Sequence, residues 1–154
     1  MDLPTRKHPS HFRPCEKWNT PIVIFTTVCT KDRKEVLANK SVHKAVVDAW
    51  KEADYWKVSY YMIMPDHIHF FCTPTTNPVY NLKGWIKFWK RNVSTVLHTV
   101  DSSLWLKDCW DTQMRSFEHY FEKIEYVKDN PVRKGLVEKS SDWEYQGKLN
   151  EIDW

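Results

Sequence analysis

Apolar positions fall along this chain in short blocks whose period changes from two to between three and four and back again. PIVIFTTVC, residues 21–29, is rich in β-branched side chains and predicts a first strand. After the polar run KDRKEVLANK, Val42, Ala45, Val46 and Ala49 recur at helical spacing, so a helix capped by Ser41 is expected through residue 50. KVSYYMIM, residues 57–64, predicts a second strand, Pro65 and Asp66 supply turn chemistry, and HIHFFCT runs back as a third. TPTTNP reads as a loop, residues 81–98 as a long helix and residues 105–115 as a fourth, irregular strand. Helix signals return over 118–129 and stop before Asn130-Pro131, and a tail carrying Trp143, Tyr145 and Trp154 is expected to pack back on the body. The order β, α, β, β, α, β and then helix predicts an α+β ferredoxin-like (RRM-like) split βαβ sandwich. Its antiparallel sheet is expected to carry helices on one face, with an extra C-terminal helix and tail. Residues 1–154 are expected to form one domain.

The third strand opens on MPDHIHFF, residues 64–71. Successive side chains of a strand point to opposite faces, so Ile68, Phe70 and Cys72 make a core face and His67 and His69 share the other. Two neutral imidazoles two residues apart can converge on a divalent metal, and they can equally be buried structural histidines. A His-x-His-x-His hydrolase motif is excluded because Phe71 stands at the third position. No GxxxxGK[ST], HExxH or GxSxG stretch occurs, and three glycines leave no phosphate-cradling loop. In FEKIEYVKDNPVRKGLV, residues 121–137, Tyr126 and Asn130 are four apart and share one helix face. A phenol beside a metal can attack a phosphodiester, and a carboxamide oxygen can join the ligands. The same pair also reads as a helix aromatic packed on the sheet and a capping asparagine.

Composition narrows the setting. With 42% apolar and 28% charged residues the chain reads as folded and globular, and its N-terminus shows neither a secretory core nor a membrane span. Cys15, Cys29, Cys72 and Cys109 are widely spaced, which disfavours a zinc knuckle or a disulfide framework and suggests free thiols in the cytoplasm. A net charge of +3 names no partner by itself. Between residues 83 and 98, however, Lys83, Lys87, Lys90 and Arg91 occur without an acid, interleaved with Trp85, Phe88 and Trp89. Those cations can track nucleic-acid phosphates while Trp85 or Trp89 stacks bases, or the aromatics form the buried stripe and the cations its solvated face. Arg115 and Arg133 can hold phosphate or form ordinary surface ion pairs.

PDHIHFF, with the tyrosine of YVKDNPVRKGLV 57 positions after His69, resembles the REP-associated tyrosine transposases, a branch of the single-tyrosine HUH transposases. PIVIFTTVC resembles that family's first strand, the 81–98 segment its basic helix and DWEYQG its closing motif. The resemblance implies a ferredoxin-like core in which Tyr126 is the nucleophile, His67 and His69 are metal ligands, and Asn130 is the third ligand. It implies Mg²⁺ or Mn²⁺ as cofactor and cleavage of single-stranded DNA near imperfect hairpins, leaving a 5′-phosphotyrosine and a free 3′-OH without ATP. This branch also implies a monomer more readily than a homodimer. Trp105, Asp111 and Arg115 fit the family's tryptophan, aspartate and arginine, whereas Thr112 stands where many members have histidine. Two other readings remain: a non-catalytic single-stranded nucleic-acid-binding domain on the same fold, and a metal-dependent phosphodiesterase that uses water.

Overall fold

The computed structural model describes residues 21–99 and 101–154. The expectations placed on Cys15 and the N-terminal segment lie outside them. Five strands form one antiparallel sheet: β1 Val23–Thr30, β2 Trp56–Ile63, β3 His67–Pro74, β4 Trp105–Met114 and β5 Gln146–Lys148, in the order β4-β1-β3-β2-β5. The first four give the ferredoxin-like order. β5 extends the β2 edge, with Gly147 opposite Tyr61, and was not expected, since QGK is too short to show a period of two.

Helices α1 (Lys40–Glu52) and α2 (Leu82–Val96) lie on one face. Their stripes, Val42, Ala45, Val46, Ala49 and Trp50 on α1 and Leu82, Trp85, Ile86, Trp89 and Val93 on α2, bury against Ile24, Val28, Ile68, Phe70 and Cys72. Asn39 rather than Ser41 caps α1, its side chain accepting from Val42 N at 2.9 Å. Asn39 has the extended backbone that a cap requires, whereas Ser41 is already inside the helix. A four-residue helix, α3 (Asp101–Leu104), leads into β4. Cys29, Cys72 and Cys109 are buried free thiols.

The second sheet face is not left open. α4 (Phe117–Lys128) lays Tyr120, Ile124 and Val127 on Val23, Tyr60, Met62, Met64, Phe71 and Met114. Ser116 caps it by accepting from His119 N. Pro131 ends its regular ladder: α4 stops at Lys128, and a separate turn, α5 (Asn130–Arg133), carries Pro131 in its first turn. The histidines and the α4–α5 junction are therefore on the same side of the sheet. Among the described residues no helix is long and apolar enough to cross a membrane.

Candidate metal and nucleophile site

His67 and His69 stand on central strand β3, opposite Cys29 and Thr27 of β1. Both are buried, and their rings meet edge to face with centroids 4.6 Å apart. Each ring is held from behind through Nδ1. His67 Nδ1 is 2.7 Å from Asp66 Oδ1, while Arg33 Nε donates to the other oxygen of that carboxylate at 2.9 Å. Arg33 Nη2 also lies 3.5 Å from His67 Nδ1, and the much shorter carboxylate contact makes that nitrogen the protonated one. His69 Nδ1 is 2.9 Å from Thr27 Oγ1, and its ring stacks on Phe25 at 5.3 Å. The turn before β3 thus supplies one support and β1 the other. Anchoring of this kind fixes ring orientation and leaves Nε2 as the outward donor atom.

Burial pushes His67 below its ordinary value of 6.5, against the opposing pull of Asp66. His69 is driven well below 6.5 by burial first, and then by His67, Lys123, Arg133 and Arg33. Both rings are therefore neutral near pH 7, the form that offers a lone pair. Burial alone would raise the Asp66 carboxyl, but hydrogen bonds from Arg33 and His67 hold it below its ordinary 3.8.

The α4–α5 junction brings a third polar group. Asn130 is buried, and its Nδ2 lies 3.4 Å from His67 Nε2. Rotation of the amide would present Oδ1 instead. Two imidazole nitrogens and one carboxamide oxygen form a donor set that fits a divalent cation and leaves positions for water and phosphate oxygens. Among the described residues no cluster of three or more His, Cys, Asp or Glu offers a competing site.

Tyr126 lies one turn before Asn130 and is 56% exposed. The Arg133 guanidinium sits 4.1 Å from its ring centroid, and Lys123 Nζ is 5.3 Å from the same centroid. Lys123 Nζ is also 5.0 Å from the Phe25 ring that stacks on His69. Lys123 thus links the Tyr126 ring to the aromatic that stacks on His69. Sequence reasoning singled out neither Lys123 nor Thr27, Arg33, Phe25 or Asp66. Only Asp66 carried a signal, as the carboxylate adjoining His67.

The basic helix lies elsewhere. α2 covers the opposite sheet face, so Lys83, Lys87 and Arg91, all exposed, are separated from the histidines by the sheet. Lys90 turns inward: it is 7% exposed, donates to Leu106 O at 3.0 Å and lies over the Trp105 ring. Trp85 and Trp89 are fully buried, which removes them as base-stacking platforms in this conformation. A cavity of about 430 Å³ between α2 and β4 is lined by Lys83, Lys87, Lys90 and Lys107, with Asp101 and Asp108. Arg115 is exposed just beyond β4, and Thr112 is exposed on β4 opposite Phe25.

No protein-family model matches the chain. A REP-associated tyrosine transposase of Escherichia coli (strain K12) is 21% identical over 126 residues, covering 79% of this chain and 73% of the relative. Among solved structures, a REP-associated tyrosine transposase bound to a REP hairpin superposes with a TM-score of 0.73 at 16% identity, covering 92% of this chain and 82% of its own. The chain resembles the REP-associated tyrosine transposases in sequence and in fold. A putative transposase from Deinococcus radiodurans aligns over 82% of this chain and 97% of its own, with a TM-score of 0.46 and 16% identity.

Proposed function

We propose that this chain is a REP-associated tyrosine transposase of the HUH class, a metal-dependent single-stranded DNA endonuclease and strand transferase. It acts near DNA hairpins through a covalent 5′-phosphotyrosine intermediate. The observation that carries this reading is the pair of neutral imidazoles on one strand face, each anchored through Nδ1, with Asn130 at 3.4 Å from His67 Nε2 and Tyr126 one turn away. In this reading His67, His69 and Asn130 hold the metal. Bound Mg²⁺ or Mn²⁺ would supply Lewis-acid polarisation of a phosphoryl oxygen. Tyr126, exposed enough to meet DNA, is the nucleophile. Its oxygen bonds phosphorus as the P–O3′ bond breaks, the phenolic proton passes to water, and the 3′ oxygen leaves with the electron pair and is protonated to the 3′-OH. Arg133 lies against the phenol and is placed to meet the transferred phosphate. The phosphotyrosine conserves the bond energy, so rejoining is the reverse reaction and needs no ATP.

Hairpin DNA as partner is supported by the structural neighbour, a transposase bound to a REP hairpin. Lys83, Lys87 and Arg91 offer a phosphate-tracking surface on the far side of the sheet, and Arg115 offers a further cation at the end of β4. One chain carries all the proposed groups in a single domain, so a monomer suffices, working on DNA in the cytoplasm. To test the reading, the protein is incubated with a hairpin-bearing single-stranded oligonucleotide and Mn²⁺ and then denatured. A protein–DNA band that disappears in Tyr126→Phe supports it. Tight binding without a band identifies a non-catalytic binder, and cleavage that survives in Tyr126→Phe identifies water as the attacking group.

A further inference from the structure

The geometry points to Lys123 as the positioning residue of this site, holding the Tyr126 phenol toward the histidine wall and countering the negative charge that builds during attack. This inference rests on the phosphotyrosine reading above.

Lys123 lies at the edge of the buried stripe of α4, next to Ile124 and one turn before Tyr126. Its Nζ is 5.0 Å from the Phe25 ring centroid and 5.3 Å from that of Tyr126, and Phe25 stacks on His69. A cation over two aromatic faces is held by both rings, so the ammonium ties the phenol to the aromatic that backs the second histidine. Glu122 and Glu125 flank it on α4, but Glu125 pairs with Lys128 at 3.6 Å, and no carboxylate pairs with Lys123 among the described residues. Burial lowers the Lys123 amine below its ordinary value. A half-buried cation without a counter-ion is costly to a fold, and such groups concentrate where a reaction develops the opposite charge. In the proposed step negative charge is shared between the phenol oxygen and the transferring phosphate. Among the described residues, Lys123 on α4 and Arg133 on α5 are the two cations in contact with the Tyr126 ring, and both act electrostatically on His69. Lys123 differs in also bridging to β1, which makes it the one that fixes where the phenol sits.

The test compares Lys123→Met, which keeps the apolar stem, with Lys123→Arg, which keeps the charge. Adduct formation is followed in a single turnover at saturating hairpin oligonucleotide and Mn²⁺, with oligonucleotide affinity and melting temperature measured beside it. Lys123→Gln replaces the Met variant should that fail to fold. The expected result is adduct formation about ten- to a hundredfold slower in Lys123→Met. Affinity should stay within about twofold of the parent, and the rate should largely recover in Lys123→Arg. An unchanged rate in Lys123→Met overturns the proposal, as does a Lys123→Arg variant as slow as Lys123→Met, since shape rather than charge would then matter. Absence of any adduct in the unmutated protein overturns the nucleophile reading itself, a result distinct from a parent that reacts and a Met variant that reacts equally well.

Discussion

Asp66 and Thr27 show how residues without a motif support those with one. Each fixes one imidazole through Nδ1, at 2.7 Å and 2.9 Å. Removing such a support costs roughly 10- to 100-fold in metal affinity. Asp66→Ala and Thr27→Val should each weaken Mn²⁺ binding, measured by calorimetry, by about that factor while leaving the fold intact, and unchanged affinity would show that the rings need no anchoring. Asp66 adjoins His67 and can be suspected from PDHIH. Thr27 could be found only by knowing that β1 pairs with β3 in a register that puts residue 27 opposite residue 69. Lys123 is invisible for the same reason: a helical lysine has no signature until the packing shows which rings it covers. Lys90 illustrates the converse, a cation that reads as surface in the sequence yet is buried against a carbonyl and an indole.

At the scale of elements, the alternation in β3 correctly separates the histidine face from Ile68, Phe70 and Cys72, because a central strand has no freedom to slip without exposing its core. One placement escaped. The sequence predicts helices on one face and an extra C-terminal helix, and only the structure shows where that helix lies: its Tyr120, Ile124 and Val127 stripe packs on Met62, Met64, Phe71 and Met114 of the second face. The helix signal stops before Asn130-Pro131, and the structure breaks at the same place: α4 ends at Lys128 and α5 begins at Asn130, whose Nδ2 lies 3.4 Å from His67 Nε2. Since α4 carries Tyr126 and Lys123, its cap should matter for both stability and chemistry. Ser116→Ala removes the acceptor for His119 N and should cost about 1 kcal/mol, lowering the melting temperature by roughly 2–4 °C. At the sheet edge, a Cβ added at Gly147 would lie 2.9 Å from the Tyr61 hydroxyl, which itself bonds His43 Nε2 at 2.7 Å. Gly147→Ala should loosen β5, seen as faster amide exchange at Ile63 and Leu149, whose N–H groups donate across this edge to Tyr145 O and Ser59 O; unchanged protection would mean that Tyr61 shifts aside freely.

Across the whole molecule, charge and pH act on separate parts. His67 and His69 are lowered, so above pH 6.5 they are neutral in both folded and unfolded chains and contribute no pH dependence. Below 6.5 the unfolded chain takes up protons that the folded one resists, and stability falls until the depressed folded values are passed. His43, also lowered by burial, adds to the same window, whereas Asp66 stabilises above 3.8 and loses that contribution as pH falls further. Melting temperature should therefore decline as pH drops below 6.5, and less steeply in His69→Gln; parallel curves would show that His69 titrates normally. The sheet also divides the exposed cations of α2, proposed to track phosphates, from the histidines. Replacing Lys83, Lys87 and Arg91 together by Gln should weaken single-stranded DNA binding and reduce its salt slope by about 2. The adduct-forming rate at saturating DNA should remain unchanged. The central claim, that Tyr126 is the atom donor to phosphorus at the His67, His69 and Asn130 site, is tested most directly by digesting the denatured protein–oligonucleotide complex and mapping the modified residue by mass spectrometry. The account predicts a nucleotide remnant linked through its 5′-phosphate to Tyr126; attachment to any other residue, or cleaved DNA with no attachment, would contradict it.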